Sequence, residues 1–191
     1  MKRFLVVFTC FFMWACSQKA SKQESSSYWH YQPQNYNAQT DYNAKQIVNG
    51  YQDLLKGFAN RDTLKMNESS IGLAKLTDSL SKLILSTDKN IQKNWENSLQ
   101  NIGAELQGVF VSNAENNSKE LKMSMNMTGI QILDLLCNIG YKESSIYIFN
   151  TKDEQFEDGL IWFGNQKMSS NPYEMQVGKE IQASSILQEL K

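Results

Sequence analysis

Histidine, cysteine and proline are almost absent from this chain of 191 residues, and each scarcity excludes something. His30 is the single histidine, so neither a histidine metal cluster nor a Ser/His/Asp triad can be assembled. Proline occurs only at Pro33 and Pro172, which favours long uninterrupted helices. A basic excess is missing too: 19 Lys and Arg stand against 20 Asp and Glu, so there is no electrostatic footprint for nucleic acid. The longest apolar run, Phe4 to Trp14, is about eleven residues. A helix needs roughly 20 to cross a bilayer core, so a signal-anchor helix is not expected.

That short run is nonetheless the most informative stretch present. Lys2 and Arg3 give it a basic start, Ala15 places a small residue before Cys16, and Ser17-Gln18-Lys19 turns polar. The layout is that of a bacterial secretory signal with Cys16 as the first residue of a mature lipoprotein. Met13 takes the usual aliphatic position, and Trp14 is an atypical residue between it and Ala15. Acyl chains on Cys16 would give a stable membrane anchor, since each buried methylene adds about 0.8 kcal/mol. No Asp follows Cys16, which favours the outer over the inner membrane. Removing residues 1–15 takes Lys2 and Arg3 with it, so 17 basic residues face 20 acidic ones. Cys10 leaves with the signal and Cys16 is acylated, so Cys137 remains as the one thiol. An internal disulfide is then impossible, and the exported fold must hold without covalent staples.

Residues 16–44 read as a polar tether, interrupted by Tyr28, Trp29, Tyr31, Tyr36 and Tyr42, which could dock on the domain, on the bilayer interface or on glycan, the simplest reading being sticky aromatics in a loose linker. From Lys45 the periodicity is helical. A first helix over 45–59 aligns Ile47, Tyr51, Leu54, Leu55 and Phe58; Asn60-Arg61-Asp62 breaks it, and Asp62 can cap the next. The second, over 63–85, carries Leu64, Ile71, Leu76, Leu80, Leu83 and Ile84. Ser86-Thr87-Asp88 forms a turn and cap. The third has the clearest stripe: Ile91, Trp95, Leu99, Ile102, Leu106 and Phe110. The fourth follows Asn116-Asn117 and aligns Leu121, Met125, Thr128, Ile132, Leu135 and Ile139, with Gly140 as its stop. After Gly140 the period changes. Ser145–Phe149 and Leu160–Phe163 read as strands joined by an acidic loop, Thr151 to Asp158. A further short strand is expected over Val177–Ile181, and a helical turn over Ile186–Leu190. The fold expected is mainly α: an antiparallel up-down four-helix bundle with a small β-hairpin-containing C-terminal extension, the domain spanning 45–183 with a short tail at 184–191.

Few residues invite chemistry. Asp153, Glu154, Glu157 and Asp158 cluster in the acidic loop, but a glycosidase needs carboxylates facing across a cleft, and the spacing of a calcium loop is absent. Cys137 sits among Leu135, Leu136 and Ile139 and reads as inert core. Met123 and Met127 are one helical turn apart on one face, with Met125 on the core stripe. Thioethers suit Cu(I), so Met123, Met127, Met168 and Met175 are candidate ligands of a soft-metal buffer; core packing is the simpler account of them.

The order of features resembles a family of bacterial envelope domains of unknown function, found in small lipoproteins and fused to copper-efflux membrane-fusion proteins. The resemblance covers about residues 45–182. Ile47-Val48-Asn49-Gly50-Tyr51 through Leu54, with Phe58-Ala59-Asn60-Arg61-Asp62, looks like that family's first helix and turn. Ile146-Tyr147-Ile148 looks like its strand before a Cys-Pro-Met run, and Gly159-Leu160-Ile161-Trp162-Phe163 like its Gly-x-Tyr-Trp-Leu segment. Asn171-Pro172-Tyr173 is identical to its Asn-Pro-Tyr, and Met175 with Gly178 is similar to its Met-x-x-Cys-Gly. Thr151, Lys152 and Asp153 replace Cys-Pro-Met, and the second cysteine is missing. The resemblance therefore implies a retained scaffold without the soft-metal ligands. The expectation is a lipid-anchored, non-catalytic envelope domain with no cofactor, attached to the membrane through Cys16 and serving an envelope protein partner. The alternative is the Cu(I) buffer.

Overall fold

The helices end where the backbone can be sealed, and the seals set their lengths. The computed structural model describes residues 29, 38–83, 89–141, 143–166, 171–173 and 186–190. Helix α1 spans Ala38–Ala59. Its core face is Ala44, Ile47, Val48, Tyr51, Leu54, Leu55 and Phe58, at helical spacing and all buried. Two returning bonds close its end: the Arg61 amide donates to the Phe58 carbonyl at 3.1 Å and the Asp62 amide to the Gly57 carbonyl at 2.8 Å. This is a Schellman closure with Arg61 in the left-handed region at φ 54°.

Helix α2 (Thr63–Ser81) follows at once, because the Asp62 carboxylate accepts from the Lys65 amide as N-cap. Helix α3 spans Lys89–Ala114 and closes in the same manner as α1, with Asn116 at φ 53°. Helix α4 (Ser118–Ile139) is capped by Asn117 at its start and closed by Gly140 at φ 63°. Each helix packs on the next in sequence, and α1 and α4 touch sparsely.

The gap between α1 and α4 is occupied by a three-stranded antiparallel sheet in the order β2-β1-β3. Strand β1 is Ile146–Asp153, β2 is Phe156–Gly164 and β3 is Ile186–Leu190. In register, Phe149 lies opposite Trp162 and Ile148 opposite Phe163, while Ile146 faces Leu190 on the other side. Ile146 to Phe149 are buried one after another, as befits a central strand covered on both faces.

Strand β2 is an edge, and edge groups left bare would be costly. They are not bare. Asn126 on α4 accepts the Ile161 amide through Oδ1 at 2.6 Å, the Tyr173 hydroxyl donates to the Ile161 carbonyl at 3.2 Å, and Gln52 on α1 donates to the Phe163 carbonyl at 2.6 Å. Rings reinforce the seam. Tyr51 stacks on Phe163 with centroids 4.3 Å apart, Phe149 stacks on Trp162, and Tyr173 meets both Phe58 and Trp162 edge-on.

Several expectations need correction. Helix α1 starts at Ala38 rather than Lys45, so the last part of the expected tether is helix. Its first turns bury Thr40 and Asn43 instead of apolar side chains, which hides them from a hydrophobic pattern. Trp29 is not a loose linker aromatic: it is 7% exposed and its indole N–H donates to Asp134 on α4 at 2.8 Å. In α2 the expected face is rotated. Leu64 and Ile71 are 68% and 49% exposed, and the core takes Met66, Ser70, Leu73, Thr77 and Leu80. Ser70 and Thr77 can be buried because their hydroxyls donate back to the Met66 and Ala74 carbonyls.

Phe110 is 44% exposed, its expected place in the core being taken by Val109 and Asn113. The acidic loop is a hairpin: 151–153 and 156–158 belong to strands, with a turn at Glu154-Gln155. Ile186–Leu190, expected as a helical turn within a tail, is strand β3, since pairing along β1 overrides local propensity. The end of the second helix at 84–85, the cap at 86–88 and the strand expected at 177–181 lie outside the described residues.

Where α1 crosses α4, a Cβ on Gly129 would collide with the Tyr51 hydroxyl oxygen, whose ring is fixed on Phe163. Gly103 on α3 has nothing within 4 Å of the same construction. Gly129→Ala is therefore expected to destabilise the fold by about 1–3 kcal/mol, and Gly103→Ala to stabilise it by up to about 1 kcal/mol. Urea unfolding of the two variants checks the pair, and equal midpoints would refute the close approach.

Candidate functional site

Two concavities stand out among the described residues. The larger, about 480 Å³, lies between the outer face of α1 and the end of β2, lined by Asn49, Gln52, Asp53, Lys56, Gly164, Asn165 and Gln166. Helical spacing puts Asn49, Gln52, Asp53 and Lys56 on one side of α1. The amide groups there offer donors and acceptors, and Lys56 pairs with Asp53 at 3.3 Å on the open surface. Gln52 is already engaged with the Phe163 carbonyl, so it holds the wall rather than a ligand.

The smaller, about 330 Å³, lies at the end of the bundle where the α1–α2 and α3–α4 turns meet. Phe58 comes from the end of α1, Met66 from α2 and Leu121 from α4; Arg61, Thr63, Asn113, Asn116 and Ser118 complete it. The Asn113 amide nitrogen donates to the Thr63 carbonyl at 3.2 Å and to the Asn67 side-chain oxygen at 2.9 Å, which ties the two turns together. Arg61 is exposed and enters no ion pair among the described residues.

The residues singled out from sequence are dispersed. Met123 is 39% exposed on α4, Met127 is half-buried on the same side, and Met125 is fully buried in the core. Met168, Met175 and Cys16 lie outside the described residues. No group of three or more His, Cys, Asp or Glu that could hold a metal occurs among the described residues. No described helix is long and apolar enough to cross a membrane.

Cys137 is buried, and burial together with the nearby Asp134 carboxylate pushes its thiol up to about 12, which leaves little thiolate near neutrality. Asp134 itself is raised by burial, against the opposing hydrogen bond from Trp29. At the core seam the phenol of Tyr51 is held well above its usual value by burial, with Tyr173 as a smaller cause.

Asp153, one of the acidic cluster, has a structural task. One carboxylate oxygen accepts the Gln155 amide at 2.9 Å and closes the hairpin turn; the other accepts from Lys122 of α4 at 3.0 Å and ties that turn to the bundle. What sequence reasoning missed altogether is Arg61 and the pocket beneath it. Asn60-Arg61-Asp62 announces a turn, but not that the arginine takes the left-handed position.

No family model, no curated protein and no solved structure matches this chain.

Two expected outcomes follow from this geometry. The Gln155 amide first, and Lys122 second, lower the Asp153 carboxyl below its ordinary 3.8. A carboxyl lowered in the folded state stabilises fully above its unfolded value and loses that contribution as pH falls through the folded value. Urea midpoints measured from pH 6 down to pH 3 are thus expected to fall less in Asp153→Asn than in the parent, and parallel pH profiles would refute the assignment. Arg61, for its part, holds a backbone region that costs a side-chain-bearing residue about 1 kcal/mol relative to Gly. Arg61→Gly is expected to raise the thermal midpoint by roughly 2–4 °C, read by circular dichroism; a lower midpoint would show that the side chain itself stabilises the turn.

Proposed function

We propose that this protein is a lipid-anchored, non-catalytic binding or accessory domain of the bacterial cell envelope, attached through Cys16. The anchor rests on the order of Lys2-Arg3, the apolar run, Ala15 and Cys16. The structural observation that supports the reading is Trp29. A leash running free to α1 would have 22 residues from Cys16 to Ala38 and an extended reach of about 75 Å. With Trp29 seated on α4, 13 residues remain between Cys16 and the docked point, a reach of at most about 45 Å. The domain is then held close to the bilayer, a placement that suits a partner in the same envelope layer.

The scaffold reading adds to this. The segments Gly159–Phe163 and Asn171–Tyr173, through which the chain resembles the copper-associated envelope family, do packing work here: the first is the buried stretch of β2 and the last residue of the second caps its edge. Those positions carry the fold, while Thr151, Lys152 and Asp153 stand where the resemblance would place ligands.

A Cys16→Ser variant expressed in a bacterial host is expected to lose palmitate labelling and to move from the membrane to the soluble fraction. Membrane association that persists unchanged would overturn the anchor.

A further inference from the structure

The pocket at the turn end of the bundle combines an apolar floor with a single charge. Phe58, Met66 and Leu121, all buried in the core, supply the floor, and Arg61 stands at the rim. Its 330 Å³ lies at the low end of the roughly 300–1,000 Å³ range of small-molecule sites. Two of the neighbouring polar groups are already committed. Asp62, the adjacent carboxylate, is turned onto the Lys65 amide as the α2 cap, and the Asn113 amide nitrogen is spent on Thr63 and Asn67. The guanidinium is left without an ion pair among the described residues.

The placement of that arginine is a second, separate observation. Gly140 closes α4 with the same geometry and without steric cost, at φ 63°; α1 closes with an arginine at φ 54°. A residue kept at a strained position where glycine would serve better is expected where its side chain has a task.

We propose that this pocket binds a small monocarboxylate with a short apolar body, the chain lying on Phe58, Met66 and Leu121 and the carboxylate on Arg61. A planar guanidinium matches a carboxylate with two parallel hydrogen bonds. This binding does not depend on the anchor at Cys16, and either can fail without the other.

The test is titration calorimetry of the purified mature protein with sodium octanoate, and with 1-octanol as the uncharged counterpart. Saturable one-site binding of octanoate is expected, about tenfold tighter than that of octanol, a ratio in the range of a single exposed charge-assisted contact. Arg61→Gly keeps the turn and is expected to erase that preference; Arg61→Lys, which keeps the charge but not the fork, is expected to retain part of it. Equal affinities for octanoate and octanol would overturn the proposal. So would an Arg61→Gly variant that binds octanoate as the parent does, or no saturable heat up to about 10 mM.

Discussion

The fold depends on how the open edge of β2 is satisfied. The Ile161 amide and carbonyl and the Phe163 carbonyl point away from β1, toward α1 and α4. Each is met by one side chain: Asn126, Tyr173 and Gln52. An orphaned backbone group in such a place costs about 1–3 kcal/mol. Three of them would outweigh much of what the aromatic packing around Trp162 contributes, since a whole domain is stable by only about 5–15 kcal/mol. The consequence is architectural. A strand edge closes the side of the bundle where α1 and α4 touch only sparsely, and a helical array that would otherwise expose its apolar flank becomes a closed core.

That closure reaches back to a short turn. The Tyr173 amide donates to the Asn171 side-chain oxygen at 3.0 Å, a local turn that aims the tyrosine at β2. Its ring then meets Phe58 of α1 and Trp162 of β2, while its hydroxyl caps Ile161. Asn171-Pro172-Tyr173 thus works as a clamp between sheet and bundle. The seam is not perfectly paired. The Tyr51 and Thr128 hydroxyls are buried without a hydrogen-bond partner among the described residues, the first pressed against Gly129. Tight approach of α1 to α4 has been kept there at the expense of polar satisfaction.

How much of this was legible in the sequence differs by element, for physical reasons. Helix α4 was plain, because one face carries large apolar residues at regular steps; Leu121, Met125, Thr128, Ile132, Leu135 and Ile139 are all buried as expected, and α3 follows the same rule from Trp95 to Leu106 but not at Phe110. Helix α2 was misread because its buried face uses Ser70 and Thr77, whose hydroxyls are satisfied by the helix's own carbonyls, while Leu64 and Ile71 face solvent. Strand β3 was misread because Ile-Leu-Gln-Glu-Leu has no strand pattern of its own and takes one from β1. The pocket was beyond reach for a different reason. Its walls come from α1, α2, α3 and α4 and their turns, and its one charge depends on a backbone sign that Asn-Arg-Asp does not encode.

These two constraints, a sealed sheet edge and a strained turn, also explain where binding surfaces can lie. The α1–α4 side is filled by the protein's own Phe163, Trp162 and Tyr173, so a partner cannot enter there without displacing the aromatic seam. The helix faces of α2 and α3 present scattered exposed apolar residues, Leu64, Ile71, Phe110 and Val111. Among the described residues, concave surfaces are offered by the amide-lined cleft beside α1 and the pocket under Arg61. Of these, the second combines a desolvated floor with a charge that enters no ion pair among the described residues. Burial would drive association there and one fixed ion would set its selectivity, which is what the arginine at the strained turn offers and a glycine would not.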